Sequence, residues 1–319
     1  MYIEQAYKGL SETWRYVLGF FLVFIAWQFV GGIPLMAALI LKSNSLADLT
    51  GDLGQMAEIL GTNTFLFFML LTFVIGLVCL FVFVKFVHKQ AILYLTTSRN
   101  RVDWKRVLFS FFLWAIISIA FILIDIYFTP ENYEFNFNLG PFLILAVIAV
   151  LMIPIQTSME EYFMRGYMMQ GIGIMAGNRW VPLFITSTLF GLMHIFNPEI
   201  GKLGYGVLVF YIGTGFFLGI LTLMDEGLEL ALGFHAANNL TAALLVTADW
   251  TAFTTDSIYR DISEPTLGWD IFIPVLVVYP ILLFIFSKKY GWTNWKERLT
   301  GKVLSKESFA EVNVNDVQL

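Results

Sequence analysis

Three short groups carry the residues able to do chemistry: Glu160-Glu161-Tyr162-Phe163-Met164-Arg165, Phe190-Gly191-Leu192-Met193-His194 and His235-Ala236-Ala237-Asn238-Asn239. Two of the three histidines and the only Glu-Glu pair fall in these groups, inside an otherwise mostly apolar stretch. Ionisable groups are costly to hold in such surroundings, so function is the first reading. On a helix, neighbours point about 100° apart and residues four apart share a face. Glu161 and Arg165 therefore stack, with the acid on the N-terminal side, the better order for an ion pair. Glu160 has Met164 at that spacing and no basic partner. The spacing divides the labour: Glu161 is braced, and Glu160 is free for acid–base work.

His235 and Asn239 likewise share one face, and Asn238 points away from it. Blander readings stand beside these. The Glu-Arg pair could simply end a span, and His194 could be a satisfied core histidine. The stacked His235 and Asn239 could be interhelical glue, typically about 0.6 kcal/mol per contact.

Of 319 residues, 58% are hydrophobic and 13% charged, and the mean hydropathy is +0.74. An ordinary soluble domain carries about 25% charged residues, so a polytopic membrane protein is expected. A net charge of -5 and a pI near 5.3 argue against a nucleic-acid partner. Cys79 is the only cysteine, which excludes a disulfide framework or a cysteine-based metal cluster. The first apolar run is too long for a signal peptide and reads as a retained helix.

Spanning the hydrocarbon takes about 20 apolar residues. Candidate spans are 14–41, 64–86, 107–128, 141–159, 181–197, 205–224, 229–248 and 271–287. Gly31, Gly32 and Pro34 predict a kink or break in the first. Lys85, Lys89, Arg99, Arg101, Lys105 and Arg106 fill the link between spans two and three, and Lys288, Lys289, Lys296, Arg298, Lys302 and Lys306 follow the last span. The 42–63, 129–140 and 249–270 links are acidic: Asp48, Asp52 and Glu58 in the first, for example, face Lys42 alone. Eight spans with both termini cytosolic satisfy the positive-inside rule. Trp14, Trp104, Trp180, Trp250 and Trp269 fall at span ends, and Trp292 and Trp295 suggest that the tail starts along the inner leaflet. The last dozen residues read as a loose tail, and His88 as a solvated interfacial histidine.

The turn candidate Ala176-Gly177-Asn178 lies midway between Glu160 and His194. If the fourth helix runs through Met175 and reverses there, those residues sit at equal depth on antiparallel neighbours. The hydropathy boundary at 159 then stops that helix too early.

Glu160-Glu161-x-x-x-Arg165, Phe190-x-x-x-His194 and His235-x-x-x-Asn239 together resemble the CPBP family: the CAAX proteases and bacteriocin-processing proteins, or Abi family, of intramembrane endopeptidases. The resemblance covers roughly residues 141–250 and every polar motif position is present in order. It implies an all-α bundle of about eight transmembrane helices that cleaves a membrane-associated peptide or protein. Glu160 with His194 would activate water, His235 with Asn239 would form the oxyanion site, and Glu161 with Arg165 would hold the helix geometry. No cofactor is implied. The chain then divides into residues 1–140 (N-terminal helices), 141–250 (protease core), 251–287 (outer loop and last helix) and 288–319 (cytosolic tail). A neutral histidine and a carboxamide can both donate to a developing oxyanion.

Three rivals are retained. Glu160, His194 and His235 could instead form a zinc set of two histidines and one glutamate, although no His-Glu-x-x-His occurs. A non-catalytic membrane regulator or immunity protein could keep the same motifs. A transporter is disfavoured, because no duplicated broken-helix pair is visible.

Overall fold

The computed structural model describes residues 1–43, 53–252 and 254–317. Asp48 and Asp52, counted above as link acids, lie outside the described residues, as do the last two residues of the tail. The fold is a bundle of eight principal helices: α1 (Thr13–Lys42), α2 (Thr62–Phe86), α3 (Trp104–Phe128), α4 (Leu139–Ala176), α5 (Trp180–Leu192), α6 (Tyr205–Asp225), α7 (Glu229–Leu245) and α8 (Ile271–Tyr290). Among the described residues, six are long and apolar enough to cross a membrane. The other two are α5, with 13 residues, and α7, with 17. Helix α7 loses apolar length to Glu229, His235, Asn238 and Asn239. Six such helices make this a multi-pass integral membrane protein.

Helix α4 runs unbroken for 38 residues, well past the hydropathy boundary, and ends at Gly177 in the left-handed conformation that favours glycine. Two irregularities lie within it. Pro154 removes one backbone donor, and the Thr157 hydroxyl bonds back to the Ile153 and Pro154 carbonyls. A π-helical turn spans Tyr162–Met168, immediately after the Glu-Glu pair. Helix α1 is continuous from Thr13 to Lys42, with a π-turn at Ala26–Val30 immediately before Gly31, Gly32 and Pro34, the kind of irregularity that kinks a helix.

Glycines set the closest packing. A Cβ on Gly233 of α7 would lie 2.1 Å from the Val107 carbonyl of α3, and one on Gly215 of α6 would lie 2.5 Å from the Ser187 carbonyl of α5. In a membrane, such close approach supplies the dispersion contact that a hydrophobic driving force supplies in water.

One end of the bundle gathers both termini and the basic link. The N-terminal 3-10 turn Ile3–Lys8 is buried, with Glu4 paired to Arg179 at 2.9 Å. Val303 of the tail bonds the Gly177 carbonyl at 3.0 Å, and Leu304 reaches Glu4 at 3.4 Å. Buried Asp225 accepts from Arg99, Arg106 and Trp292, and buried Glu229 from Arg99. Trp292 therefore turns inward onto Asp225, not outward along a leaflet. The tail carries a helix, Lys306–Val317, where a loose segment was expected.

The opposite end is closed by a small sheet of order β1-β3-β2, from β1 (Tyr133–Phe135), β2 (Val246–Thr247) and β3 (Tyr259–Asp261). Strands β1 and β3 are antiparallel, with Tyr133 opposite Asp261; β2 and β3 are parallel. Asp256 there accepts from Thr62 at 2.6 Å and Asn63 at 2.8 Å.

His88 corrects the sequence reading: it is 1% exposed. Its Nδ1 meets the Leu10 carbonyl at 2.7 Å and its Nε2 the Tyr167 hydroxyl at 3.1 Å, because the N-terminal segment folds over it. Burial, first, and the nearby Arg15 hold its pKa below the ordinary histidine value, against the Leu10 hydrogen bond. An unfolded chain then binds the proton more readily than the folded one, so stability falls as pH drops through the unfolded value of about 6.5. Thermal unfolding in detergent between about pH 8 and pH 5 should show this slope, at most about 1.4 kcal/mol per pH unit for one proton. His88→Asn should flatten it; an unaltered profile would refute the assignment.

Candidate active site

The Tyr167 hydroxyl bonds the Arg15 carbonyl at 2.9 Å, and Arg15 bonds the Val87 carbonyl at 2.6 Å. These groups belong to the end of the bundle that holds the N-terminus. Glu160 lies seven residues earlier on α4, about 10 Å further along the helix axis. The site is thus sunk into the bundle, nearer the end that holds the termini.

Glu161 and Arg165 are both fully buried and joined at 3.1 Å, as their spacing predicts, despite the π-turn between them. Arg165 also donates to the Gly215 carbonyl at 3.0 Å and lies over the Phe190 ring at 4.2 Å. The close approach allowed by Gly215 brings that carbonyl within reach. Glu161 accepts a second bond from His235 Nδ1 at 2.8 Å. A nitrogen facing a carboxylate at that distance carries the hydrogen.

With Nδ1 so engaged, His235 Nε2 faces Glu160 Oε2 at 3.6 Å. The other Glu160 oxygen accepts from Gln156 at 2.6 Å, while Oε2 has no hydrogen-bond partner among the described residues. Glu160 and His235 keep 6% and 5% exposure, whereas Glu161 and Arg165 have none. That small difference sets Glu160, which keeps a trace of exposure, apart from Glu161, which is sealed.

His194 sits in the turn after α5, half-buried, with Nδ1 against the Phe190 carbonyl at 2.8 Å and its ring stacked 4.2 Å from that of Tyr211. A carbonyl can only accept, so Nδ1 donates and Nε2 offers a lone pair. Phe190 is the hub: its ring lies 5.0 Å from that of His194, 5.8 Å from that of His235, and beneath Arg165. Glu160 thus contacts His235 and Gln156, and His194 joins the group through Phe190. Beyond His194, Glu199 accepts from the Ala252 amide at 3.0 Å. Burial raises its pKa, against that bond and one to Tyr211.

Asn239 Nδ2 donates to Gln156 at 3.0 Å, and its carbonyl accepts from Asn238, which in turn accepts from Trp114. Gln156, Trp114 and Tyr211 were not singled out from sequence. Gln156 had a readable signal, since it precedes Glu160 by four residues on the same face. Among the described residues, no three His, Cys, Asp or Glu side chains are gathered to hold a metal ion, so the two-histidine, one-glutamate zinc set is not assembled here.

Residues 138–241 match the Rce1-like family, described as type II CAAX prenyl endopeptidase Rce1-like, which places this segment among the CAAX proteases of the CPBP and Abi grouping. The chain is also similar to a curated relative, the uncharacterized protein YyaK of Bacillus subtilis (strain 168). The two are 27% identical over 274 residues, covering 85% of this chain and 90% of that protein. No solved structure matches. Family and membrane bundle together support an intramembrane protease of this family in general.

The buried pair sets a stability test. Arg165→Met leaves Glu161 charged and dry, which should cost about 3–5 kcal/mol in unfolding experiments in detergent. Glu161→Gln combined with Arg165→Met should recover much of it, because no lone charge remains. Equal losses in the single and double variants would show that the pair is not the unit holding this region.

Proposed function

We propose that this protein is an intramembrane endopeptidase that hydrolyses a peptide bond of a membrane-associated peptide or protein, with Glu160 as its central acid–base group. The observation that carries this reading is the Glu160–His235 confrontation at 3.6 Å, in a nearly dry cluster built from the motif positions of the matched family.

A water between Glu160 and His194 has two lone-pair partners, Glu160 Oε2 and His194 Nε2. As its oxygen attacks the peptide carbonyl carbon, its proton passes to Glu160. The carbonyl oxygen gains the charge and takes hydrogen bonds from Asn239 and His235. Asn239 has two amide hydrogens, and only one is given to Gln156. Collapse of the tetrahedral intermediate breaks the C–N bond, and the proton on Glu160 goes to the leaving amine. Glu161 and Arg165 hold the His235 ring and the helix. No step calls on a cofactor.

The positive-inside rule places the end bearing the termini in the cytosol, with all eight helices crossing, so cleavage takes place toward the inner leaflet. The family description names prenylated CAAX substrates; a lipid-linked or leader peptide presented from that leaflet fits the same position.

Glu160→Gln, His194→Ala and His235→Ala should each abolish cleavage while insertion and folding remain normal. Asn239→Ala should lower turnover by about 10²–10³-fold, the worth of one oxyanion donor, with little change in KM. Comparing the small peptides of cells bearing the wild type and Glu160→Gln identifies the substrate. If Glu160→Gln preserves the cellular phenotype at normal protein levels, the protein binds its target without cleaving it.

A further inference from the structure

Four hydrogen bonds run in series from α3 to Glu160. Trp114 Nε1 donates to Asn238 Oδ1 at 3.1 Å, and Asn238 Nδ2 donates to Asn239 Oδ1 at 3.0 Å. Asn239 Nδ2 then donates to Gln156 Oε1 at 3.0 Å, and Gln156 Nε2 to Glu160 Oε1 at 2.6 Å. Three of the linked groups are carboxamides, which could each be turned end for end. Trp114 cannot: an indole N–H only donates. It is also nearly buried, like Gln156, so water does not readily substitute for either.

The order is therefore forced. Asn238 must turn its oxygen to Trp114, which leaves its NH2 for Asn239; Asn239 must then accept there and donate to Gln156. Gln156 must accept from Asn239 and donate onward. The last member receives a donor and has to accept it.

We infer that Trp114, Asn238 and Gln156 are positioning residues that fix the direction of a hydrogen-bond relay ending on Glu160, so that its Oε1 is held as an acceptor and Oε2 alone exchanges the catalytic proton. This rests on the proposed role of Glu160. The geometry fits: Oε2 is the atom without a partner, and it faces His235 Nε2. The relay also orients Asn239, so one donor-only group on α3 sets both the base and the oxyanion donor. Glu160→Gln suits the same relay, with its amide oxygen in the place of Oε1, which keeps that variant folded.

The relay can be inverted without touching Glu160. In Asn238→Asp, residue 238 accepts from both Trp114 and Asn239. Asn239 then turns its oxygen to Gln156, and Gln156 turns its oxygen to Glu160, setting two acceptors face to face. Asn238→Asp should lower kcat more than about a hundredfold with KM nearly unchanged, and more severely than Asn238→Ala, which only interrupts the relay. Trp114→Phe keeps the ring packing but removes the director, and should lower kcat about tenfold. Thermal unfolding of each variant checks that it is folded. An Asn238→Asp protein no worse than Asn238→Ala, or effects confined to KM, would overturn the relay.

A second readout needs no activity. The infrared carboxyl bands of Glu160, assigned by subtracting the Glu160→Gln protein, should differ between the wild-type and Asn238→Asp backgrounds; identical bands overturn the relay. A wild type that cleaves no peptide, with bands that do differ, sinks the proposed activity and leaves the directed hydrogen bonds standing.

Discussion

The site depends on one constraint: two adjacent carboxylates and one guanidinium are held where water scarcely reaches. Stripping such ions of water costs several kcal/mol each unless their neighbours replace the lost hydration. Arg165 meets that cost in three directions, through Glu161, the Gly215 carbonyl and the face of Phe190. Each direction belongs to a different helix or turn of α4, α5 and α6. Fixing Arg165 therefore fixes how these helices meet. Glu161, neutralised by Arg165, becomes a permanent acceptor for His235, which pulls α7 to the same point. Glu160 is then left as the one acid of the pair without a countercharge of its own.

The end bearing the termini serves this arrangement at a distance. Asp225 and Glu229 flank the α6–α7 turn and hold Arg99 from the link between α2 and α3 and Arg106 from the start of α3, while the tail and the N-terminal turn grip the α4–α5 turn. Both hairpins that carry the site are thereby tied at their turns. A helix pair pinned at one end can be irregular further along, and α4 places its π-turn there. The wider turn redirects the side chains after Glu161 without ending the helix, a use of π-turns that recurs at functional sites.

Much of this was legible in the residues themselves. Hydropathy marked the long helices, and the i, i+4 rule paired Glu161 with Arg165. The turn at Gly177 required α4 to run past its hydropathy boundary. What was not legible came from contacts distant in sequence. His88 looked solvated because its link is basic, yet residues 1–10 fold over it. Trp292 looked interfacial because lysines surround it, yet Asp225 lies 67 positions away in sequence and takes its indole hydrogen. Spacing gave no means of bringing His235 to Glu160 and Glu161. That meeting depends on α7 lodging between α3 and α4, with Gly233 permitting the close fit to α3.

The exposure gradient across the site says how a reaction would be fed. Glu161 and Arg165 are sealed, Glu160 and His235 keep a trace of exposure, and His194 and Asn239 are half-buried. In the proposed reaction, His194 and Asn239 are the most accessible members, and water and a peptide carbonyl would approach past them and meet Glu160 last. The sealed members never need to exchange with solvent. That ordering suits a hydrolase working at membrane depth, where water must be admitted to one carboxylate oxygen while the ion pair behind it stays dry. In the proposed reaction the two adjacent glutamates divide their work by position: Glu160 Oε2 faces His235 Nε2 and keeps a trace of exposure, whereas Glu161 is sealed and its Oε1 is held by both Arg165 and His235.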